Sequence, residues 1–121
     1  MKLVIADDSS MMRERIKNQI KDFDEVNIVG EAVNGIIALE MILEFLPDLI
    51  FLDLQMTEMG GMEVLRKMNE AKLKTRVCIL TNYSYPQYKA QCLALGAEYF
   101  LNKSDDFEKI NGVISNILKE C

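Results

Sequence analysis

Three aspartates stand where apolar runs of the sequence end. Asp7 and Asp8 follow the first apolar run, and Asp53 follows the four apolar residues 49–52. Carboxylates brought together there would repel by about 4 kcal/mol per pair at roughly 4 Å and an effective dielectric of about 20. A divalent cation offsets such repulsion, and an all-oxygen site with open positions for water suits Mg²⁺. Because a carboxylate can also accept a phosphoryl group, Asp53 is a candidate acceptor.

A hydroxyl and an ammonium group end two later apolar runs. Thr81 follows residues 76–80, and Lys103 comes shortly after residues 99–101. The carboxyl ends of parallel strands meet at one edge of a sheet, so we expect both side chains to join the three acids. Alone, each would be a cap, a turn former or a surface charge. Together they indicate a site in which Thr81 and Lys103 each bind a phosphoryl oxygen.

The elements that must position these residues are short strands alternating with helices. This alternation is typical of an α/β fold, a single doubly wound (βα)5 domain with a parallel five-stranded sheet and helices on both faces. Residues 49–52 are the expected central strand, because four consecutive apolar residues suit burial on both sheet faces. The five predicted strands are residues 2–6, 26–30, 49–52, 76–80 and 99–101.

Apolar residues at three- and four-residue steps predict the inner faces of the helices. Ser9 and Ser10 can cap the first helix, Asn34-Gly35 precedes the second, Pro86 fits the first turn of the fourth and Gly96 ends it. The predicted inward residues are Met12, Ile16, Ile20 and Phe23; Met62, Leu65 and Met68; Tyr88, Cys92 and Leu95; and Ile110, Val113, Ile114, Ile117 and Leu118.

Composition and charge indicate which classes of protein this chain can belong to. The chain has 121 residues, half of them hydrophobic, which suits one domain over residues 1–121 with no output domain. The net charge of −5 argues against direct nucleic-acid binding by this domain. No apolar run approaches the ~20 residues that span a membrane, and no signal segment is visible, so we expect a cytoplasmic protein without membrane partners.

The cysteine and histidine content limits which metal sites and nucleophiles the chain can form. Cys78, Cys92 and Cys121 share no metal-ligand spacing, and we expect the first two to be small buried hydrophobes and the terminal one to be exposed. The chain contains no histidine, which excludes histidine-based nucleophile activation, metal ligation and phosphohistidine chemistry from its own residues.

The motifs in this order resemble the receiver domains of two-component response regulators, over the whole chain. The resemblance implies the flavodoxin-like fold with strand order 2-1-3-4-5. The residues that carry it are Val4-Ile-Ala-Asp7-Asp8-Ser9, Leu52-Asp53-Leu-Gln-Met56, Gly60-Gly61-Met62-Glu63-Val64-Leu65, Leu80-Thr81, and Gly96-Ala97 through Lys103.

The resemblance also implies a role for each residue of the site. Asp53 matches the phosphoacceptor and one Mg²⁺ ligand, Asp8 the acid that binds Mg²⁺ directly, and Asp7 the acid that acts mainly through water. Gln55 would give its backbone carbonyl to the metal. These are the implied cofactor and its ligands.

A further set of roles concerns the switch. Thr81 and Lys103 match the groups that hold the phosphoryl oxygens, and Phe100 matches the aromatic that moves inward with Thr81. A sensor histidine kinase is the implied donor, and the face formed by helix four, strand five and helix five would control an unidentified protein target or a second copy of the chain. Catalysis is limited to the protein's own phosphorylation and dephosphorylation, so the chain is not expected to be an enzyme.

Several positions depart from the family pattern. Receiver domains often have proline shortly after the acceptor and directly after the lysine, where this chain has Thr57 and Ser104. We therefore expect the loop after Lys103 to take another path. Asn82 stands where a small residue is common, and Gln55 and Tyr83 occupy positions that tune the lifetime of the phosphoryl group.

Two alternatives belong to other functional classes. Asp53-Leu-Gln-Met-Thr57 matches the Asp-x-Asp-x-Thr motif of aspartyl-nucleophile phosphatases except at Gln55, which removes the second acid. A receiver fold used as an interaction module without phosphorylation is the other alternative, and the intact set of acids, Thr81 and Lys103 argues against it. A flavin mononucleotide site is disfavoured because acidic strand ends would repel the phosphate.

Overall fold

The sheet runs through the middle of the molecule, with all five strands parallel. The computed structural model describes residues 1–120, and Cys121 lies outside the described residues. The strands are β1 (Lys2–Ala6), β2 (Asn27–Ala32), β3 (Leu49–Leu52), β4 (Arg76–Thr81) and β5 (Tyr99–Asn102), in the spatial order β2-β1-β3-β4-β5. The helices are α1 (Ser10–Ile20), α2 (Gly35–Phe45), α3 (Gly61–Glu70), α4 (Pro86–Ala94) and α5 (Lys109–Lys119). The predicted α/β class and strand order are confirmed.

Alternate residues of the central strands feed two separate cores. Leu3 and Ile5 of β1 pack with α1 and α5 on one face of the sheet. Val4 of β1 and Ile50 of β3 pack with α2, α3 and α4 on the other face. Since β1 and β3 are buried on both faces, their apolar residues are continuous instead of alternating with polar ones.

Local capping fixes where the first two helices begin. The Ser9 hydroxyl accepts a hydrogen bond from the Met12 backbone at 3.2 Å, and the Asn34 side chain accepts one from the Ile37 backbone at 2.9 Å. Gly96 follows α4 with a φ of +100°, a left-handed conformation that favours glycine. These three signals were readable in the sequence and are confirmed.

The second strand was predicted at residues 26–30 but spans Asn27–Ala32. The reason is its partner: β1 continues to Ala6, which pairs with Ala32. The register between the strands also shifts after Leu3, which leaves Val29 as an extra residue in β2. The predicted ends of β4 and β5 were each one residue short.

The predicted inner face of α4 is wrong at Tyr88. Only Cys92 of this helix is buried, whereas the Tyr88 ring is 37% exposed and meets the Tyr85 ring edge-on at 5.8 Å. Tyrosine suits such a position because it combines an apolar ring that packs with a polar hydroxyl that can face water.

The other helix faces follow their patterns with small differences. The buried residues on α1, α3 and α5 are Ile16, Ile20, Leu65, Met68, Ile110, Val113, Ile114 and Ile117. The remaining predicted residues, Met12, Phe23, Met62, Leu95 and Leu118, are half-buried. Phe23 and Leu95 lie just beyond the ends of their helices. Val64, which the three-residue pattern omitted, is buried.

Two further expectations can be compared with the described part of the chain. Cys78 and Cys92 are buried free thiols, as predicted, and burial raises the pKa of Cys92 to about 11. Between residues 1 and 120, every helix is too short or too polar to cross a bilayer.

Candidate functional site

The candidate residues gather at the carboxyl edge of the sheet. Asp7 directly follows β1, Asp53 directly follows β3 and Lys103 directly follows β5. Thr81, which was placed just beyond its strand, is the last residue of β4. The strands are parallel and adjacent, so four separate loci of the sequence meet at one place.

A buried ion pair with three members forms the centre of this edge. The Nζ of Lys103 lies 2.7 Å from Oδ2 of Asp7 and 2.9 Å from Oδ2 of Asp53. The three residues are only 6%, 2% and 4% exposed, in that order. One ammonium therefore serves two carboxylates in a place that water scarcely reaches, where charge interactions are strong.

Asp8 adds a third carboxylate on the solvent side of the ion pair. Oxygens of Asp7, Asp8 and Asp53 lie within 4.8 Å of one another, and Asp8 is exposed. Three negative charges around the single positive charge of Lys103 leave a net charge of −2. An oxygen-only donor set with this charge, open to water on one side, fits a hard divalent cation such as Mg²⁺.

Backbone groups orient the two buried acids. The second oxygen of Asp7 accepts a hydrogen bond from the Ser9 backbone at 2.9 Å. The second oxygen of Asp53 accepts one from the Gln55 backbone at 3.3 Å. Gln55 therefore contacts the Asp53 carboxylate through its main chain, and the residue itself is exposed to solvent.

The loop carrying Asp53 is held by a close approach of α3. The Gly61 backbone donates to the Leu54 carbonyl at 3.0 Å. A Cβ built on Gly61 would lie 2.0 Å from the backbone oxygen of Asp53, so any residue other than glycine would clash there. Glycine at this position lets the start of α3 pack directly against the backbone of Asp53.

Thr81 lies on β4, and Phe100 lies on the neighbouring edge strand β5. Thr81 is fully buried, and its hydroxyl oxygen accepts a hydrogen bond from the Tyr83 backbone at 3.1 Å. Phe100 is half-buried and packs against the core formed with α2, α3 and α4. Asn82 and Tyr83 are exposed at the start of the loop between β4 and α4.

A cleft of about 220 Å³ opens beside the Asp53 loop. It lies between the loop that follows Asp53 and the start of α4. Its lining residues are Leu54, Gln55, Met62, Tyr83 and Tyr88.

The pKa directions reflect how one lysine is shared. Burial raises the pKa of the Asp53 carboxyl above its ordinary value, and the opposing hydrogen bond from Lys103 does not fully offset it. Burial alone would lower the pKa of the Lys103 ammonium, but hydrogen bonds to Asp7 and Asp53 outweigh burial and raise it. The Lys103 ammonium is therefore firmly protonated, while burial disfavours the charged form of the Asp53 carboxyl.

Sequence reasoning missed two residues next to the site. Arg13 of α1 donates from Nη1 to the backbone oxygen of Asp7 at 2.7 Å and also pairs with Glu31 of β2 at 3.1 Å. The spacing of Arg13 and Lys17, four residues apart on α1, was a signal for the contact with Glu31, because it places both cations on the same helix face. Asn102, the other omission, links the loop between β4 and α4 to the loop between β5 and α5.

Comparison with known proteins identifies the family of this chain. The sequence model of the response regulator receiver domain family matches residues 3–115. The transcriptional regulatory protein YdfI of Bacillus subtilis is 37% identical over 109 residues, which cover 90% of this chain and 51% of that protein. The uncharacterized transcriptional regulatory protein YhcZ of the same organism is 34% identical over 110 residues, covering 91% of this chain and 51% of that protein.

A solved structure of a receiver domain also has the same fold as this chain. The signal receiver domain of the putative response regulator NarL from Mycobacterium tuberculosis superposes with a TM-score of 0.87 at 33% identity, covering 97% of this chain and 95% of that one. The chain spans about half the length of the two curated relatives. Because the family model covers most of the chain, the chain belongs to the response regulator receiver domain family of two-component signalling.

Proposed function

We propose that Asp53 is the acceptor of a phosphoryl group and that its phosphorylation switches the surface of this receiver domain. The observation that carries the proposal is the buried arrangement of Lys103 between Asp7 and Asp53, with Asp8 beside them. The Lys103 ammonium lies 2.9 Å from Asp53, where it would stabilise the negative charge that grows on the phosphoryl oxygens during transfer.

Mg²⁺ is the proposed cofactor, and the donor set fits it. Asp7, Asp8 and Asp53 would hold the ion, with the Gln55 backbone carbonyl as a further ligand and water in the other positions. When bound, the ion would neutralise charge on the acids and on the phosphoryl oxygens. Asp7 also keeps Lys103 in place, so one acid would serve both the metal and the ammonium.

The proposed transfer step uses a donor from another protein. This chain has no histidine, so a sensor kinase would supply the phosphohistidine. An oxygen of Asp53 attacks the phosphorus, the new O–P bond forms, and the P–N bond to the donor imidazole breaks. The nitrogen leaves with the electron pair and takes a proton from water, so that the donor returns to a neutral imidazole. Lys103 and the Thr81 hydroxyl would then each bind a phosphoryl oxygen.

The response would appear on the face formed by α4, β5 and α5. Thr81 lies at the end of β4, and its movement toward a phosphoryl oxygen would open room for the half-buried Phe100. Residues 82–91 are exposed throughout, so this segment can change position with little loss of core packing. Moving the equilibrium from 1:99 to 99:1 would require phosphorylation to favour the active state by about 5.5 kcal/mol. The target is a partner protein.

The test is chemical phosphorylation with a small donor. Incubation with acetyl phosphate and Mg²⁺ should shift the wild-type band on a phosphate-affinity gel, and Asp53→Asn should abolish the shift. Asp24→Asn is a matched control, since Asp24 is an exposed acid in the turn before β2, at the other end of the sheet. A wild-type protein that stays unmodified, or an Asp53→Asn variant that is modified equally, contradicts the proposal.

A further inference from the structure

The Asn102 side chain joins two loops at the site. Its amide nitrogen donates to the Ser84 hydroxyl oxygen at 2.8 Å, in the loop between β4 and α4. Its amide oxygen accepts from the backbone of Ser104 at 2.7 Å and of Asp105 at 3.0 Å, in the loop between β5 and α5. Both ends of the amide are therefore engaged, each with a different loop.

The backbone around Asn102 places this link beside both phosphoryl-binding candidates. Asn102 is the cross-strand neighbour of Thr81, and the Lys103 backbone donates to the Thr81 carbonyl at 2.9 Å. Asp106 closes the turn, since its carboxylate accepts from the Asn102 backbone at 2.9 Å and its own backbone donates to the Asn102 carbonyl at 3.0 Å. Lys103 is thus flanked on both sides by hydrogen bonds that involve Asn102.

The residue after Lys103 shows why such a link is needed. A proline at position 104 would fix the backbone through its ring, but it would have no N–H to donate. Ser104 has no ring to fix its φ angle, and it supplies the N–H that donates to the Asn102 amide oxygen at 2.7 Å. In this chain a side-chain hydrogen bond stands in the place where a proline ring would restrict the loop.

We propose that Asn102 is a positioning residue for Lys103. It holds the turn from which the Lys103 ammonium reaches Asp7 and Asp53, and it ties the loop after Thr81 to the same turn. This inference rests on the proposed phosphorylation of Asp53 for its consequence, which is that Asn102 affects the rate of phosphorylation through Lys103. Movement of the loop after Thr81 would have to break the Asn102–Ser84 hydrogen bond.

The kinetic test compares phosphorylation by acetyl phosphate and Mg²⁺. Asn102→Ala should lower the rate constant about three- to tenfold, the range that the net contribution of one ordinary hydrogen bond would give. Asn102→Asp keeps an oxygen that can accept from Ser104 and Asp105, so it should recover most of the rate. Asn111→Ala is the matched control, because Asn111 is an exposed asparagine on α5 that accepts from Gln19, and its rate should equal that of wild type.

A double-mutant cycle separates positioning from general stability. In a Lys103→Ala background there is no ammonium to position, so Asn102→Ala should then change the rate by less than about 1.5-fold. If Asn102→Ala slows the reaction equally with and without Lys103, it acts by a route other than Lys103 and the proposal is overturned. An unchanged rate in Asn102→Ala overturns it as well.

Amide hydrogen exchange decides the assignment without phosphorylation. The Ser104 and Asp105 amides should exchange slowly in wild type and in Asn102→Asp, and at least about fivefold faster in Asn102→Ala. Equal exchange at both amides in wild type and Asn102→Ala overturns the role of Asn102. If wild type takes up no phosphoryl group while these amides respond as expected, the proposed function fails and the positioning of the Lys103 turn stands.

Discussion

At the scale of single residues, the site has more negative charge than its one lysine can balance. Lys103 contacts two buried carboxylates, and Asp8 adds a third from the solvent side. Such an arrangement is a poor device for stability, because buried charges lose hydration that their partner repays only in part. The same arrangement suits the proposed ligands. A cation would bring the missing positive charge, and the fixed ammonium would bind an oxygen of a phosphoryl group.

Removing the charge of Asp53 should therefore stabilise the metal-free protein. Asp53→Asn keeps an oxygen that can accept from Lys103, and we expect the free energy of unfolding at pH 7 without Mg²⁺ to rise by roughly 1 kcal/mol. Since burial raises the pKa of Asp53 in the folded state, the native protein binds the proton more readily than the unfolded chain does. Wild type gains stability from this group as the pH falls through the raised pKa, so the advantage of the variant should shrink in acid.

Urea unfolding at a series of pH values from neutral to acidic measures this difference. Asp24→Asn, the exposed control in the turn before β2, should track wild type throughout. An Asp53→Asn variant that is less stable than wild type at neutral pH, or whose advantage grows in acid, would show that Lys103 overcompensates the buried carboxylate.

How far these residues could be predicted depends on how local their signals are. Asp7, Asp53 and Lys103 each end or follow an apolar run, and parallel strands bring such positions together, so their convergence was readable. The sharing of Lys103 between two acids was not readable, since it depends on side-chain paths across three strands. Asn102 escaped notice because its partners lie in two loops whose shape no periodic pattern describes.

At the scale of elements, the position of Asp53 depends on how closely α3 approaches β3. The first residue of α3 is Gly61, and its missing side chain leaves room for the Asp53 carbonyl. We expect Gly61→Ala to lower the free energy of unfolding by about 3 kcal/mol, because the Cβ would meet that backbone oxygen at 2.0 Å and neither group can yield easily. The displaced loop should also slow phosphorylation of Asp53.

The chain offers a matched control for this substitution on another helix. A Cβ on Gly112 of α5 would meet nothing within 4 Å, so Gly112→Ala should raise stability by about 0.5–1 kcal/mol through helix propensity alone. Thermal or urea unfolding of both variants gives the comparison. Similar small effects in the two variants would mean that α3 can shift away from Asp53 without cost.

Element boundaries show where sequence patterns stop being informative. The apolar stripe of α5 predicts its buried face well, because four of five residues at helical spacing are buried. The pattern misled at Tyr88, whose helix α4 rests on the sheet through little more than Cys92. The end of β2 could not be read from its own residues, since the pairing of Ala32 with Ala6 decides it.

At the scale of the whole molecule, the acidic edge of the sheet links ligand binding to global stability. The net charge of −5 and the concentration of three acids at one edge both oppose the compact state when no cation is bound. A cation that binds the folded chain and not the unfolded chain stabilises it by RT ln(1 + [L]/Kd), which is about 2.7 kcal/mol at a hundredfold excess over Kd. The proposed Mg²⁺ site thus predicts a measurable effect on unfolding.

We expect millimolar Mg²⁺ to raise the unfolding midpoint of wild type, and chelation by EDTA to reverse the rise. Asp8→Asn is the decisive variant, because Asp8 is exposed and its loss should cost the apo fold little while removing the proposed direct ligand. Its midpoint should therefore be nearly independent of Mg²⁺. Matched ionic strength with NaCl separates binding from general screening of the acidic surface. If Mg²⁺ stabilises wild type and Asp8→Asn equally, the ion binds away from Asp7, Asp8 and Asp53, and the proposed metal site is wrong.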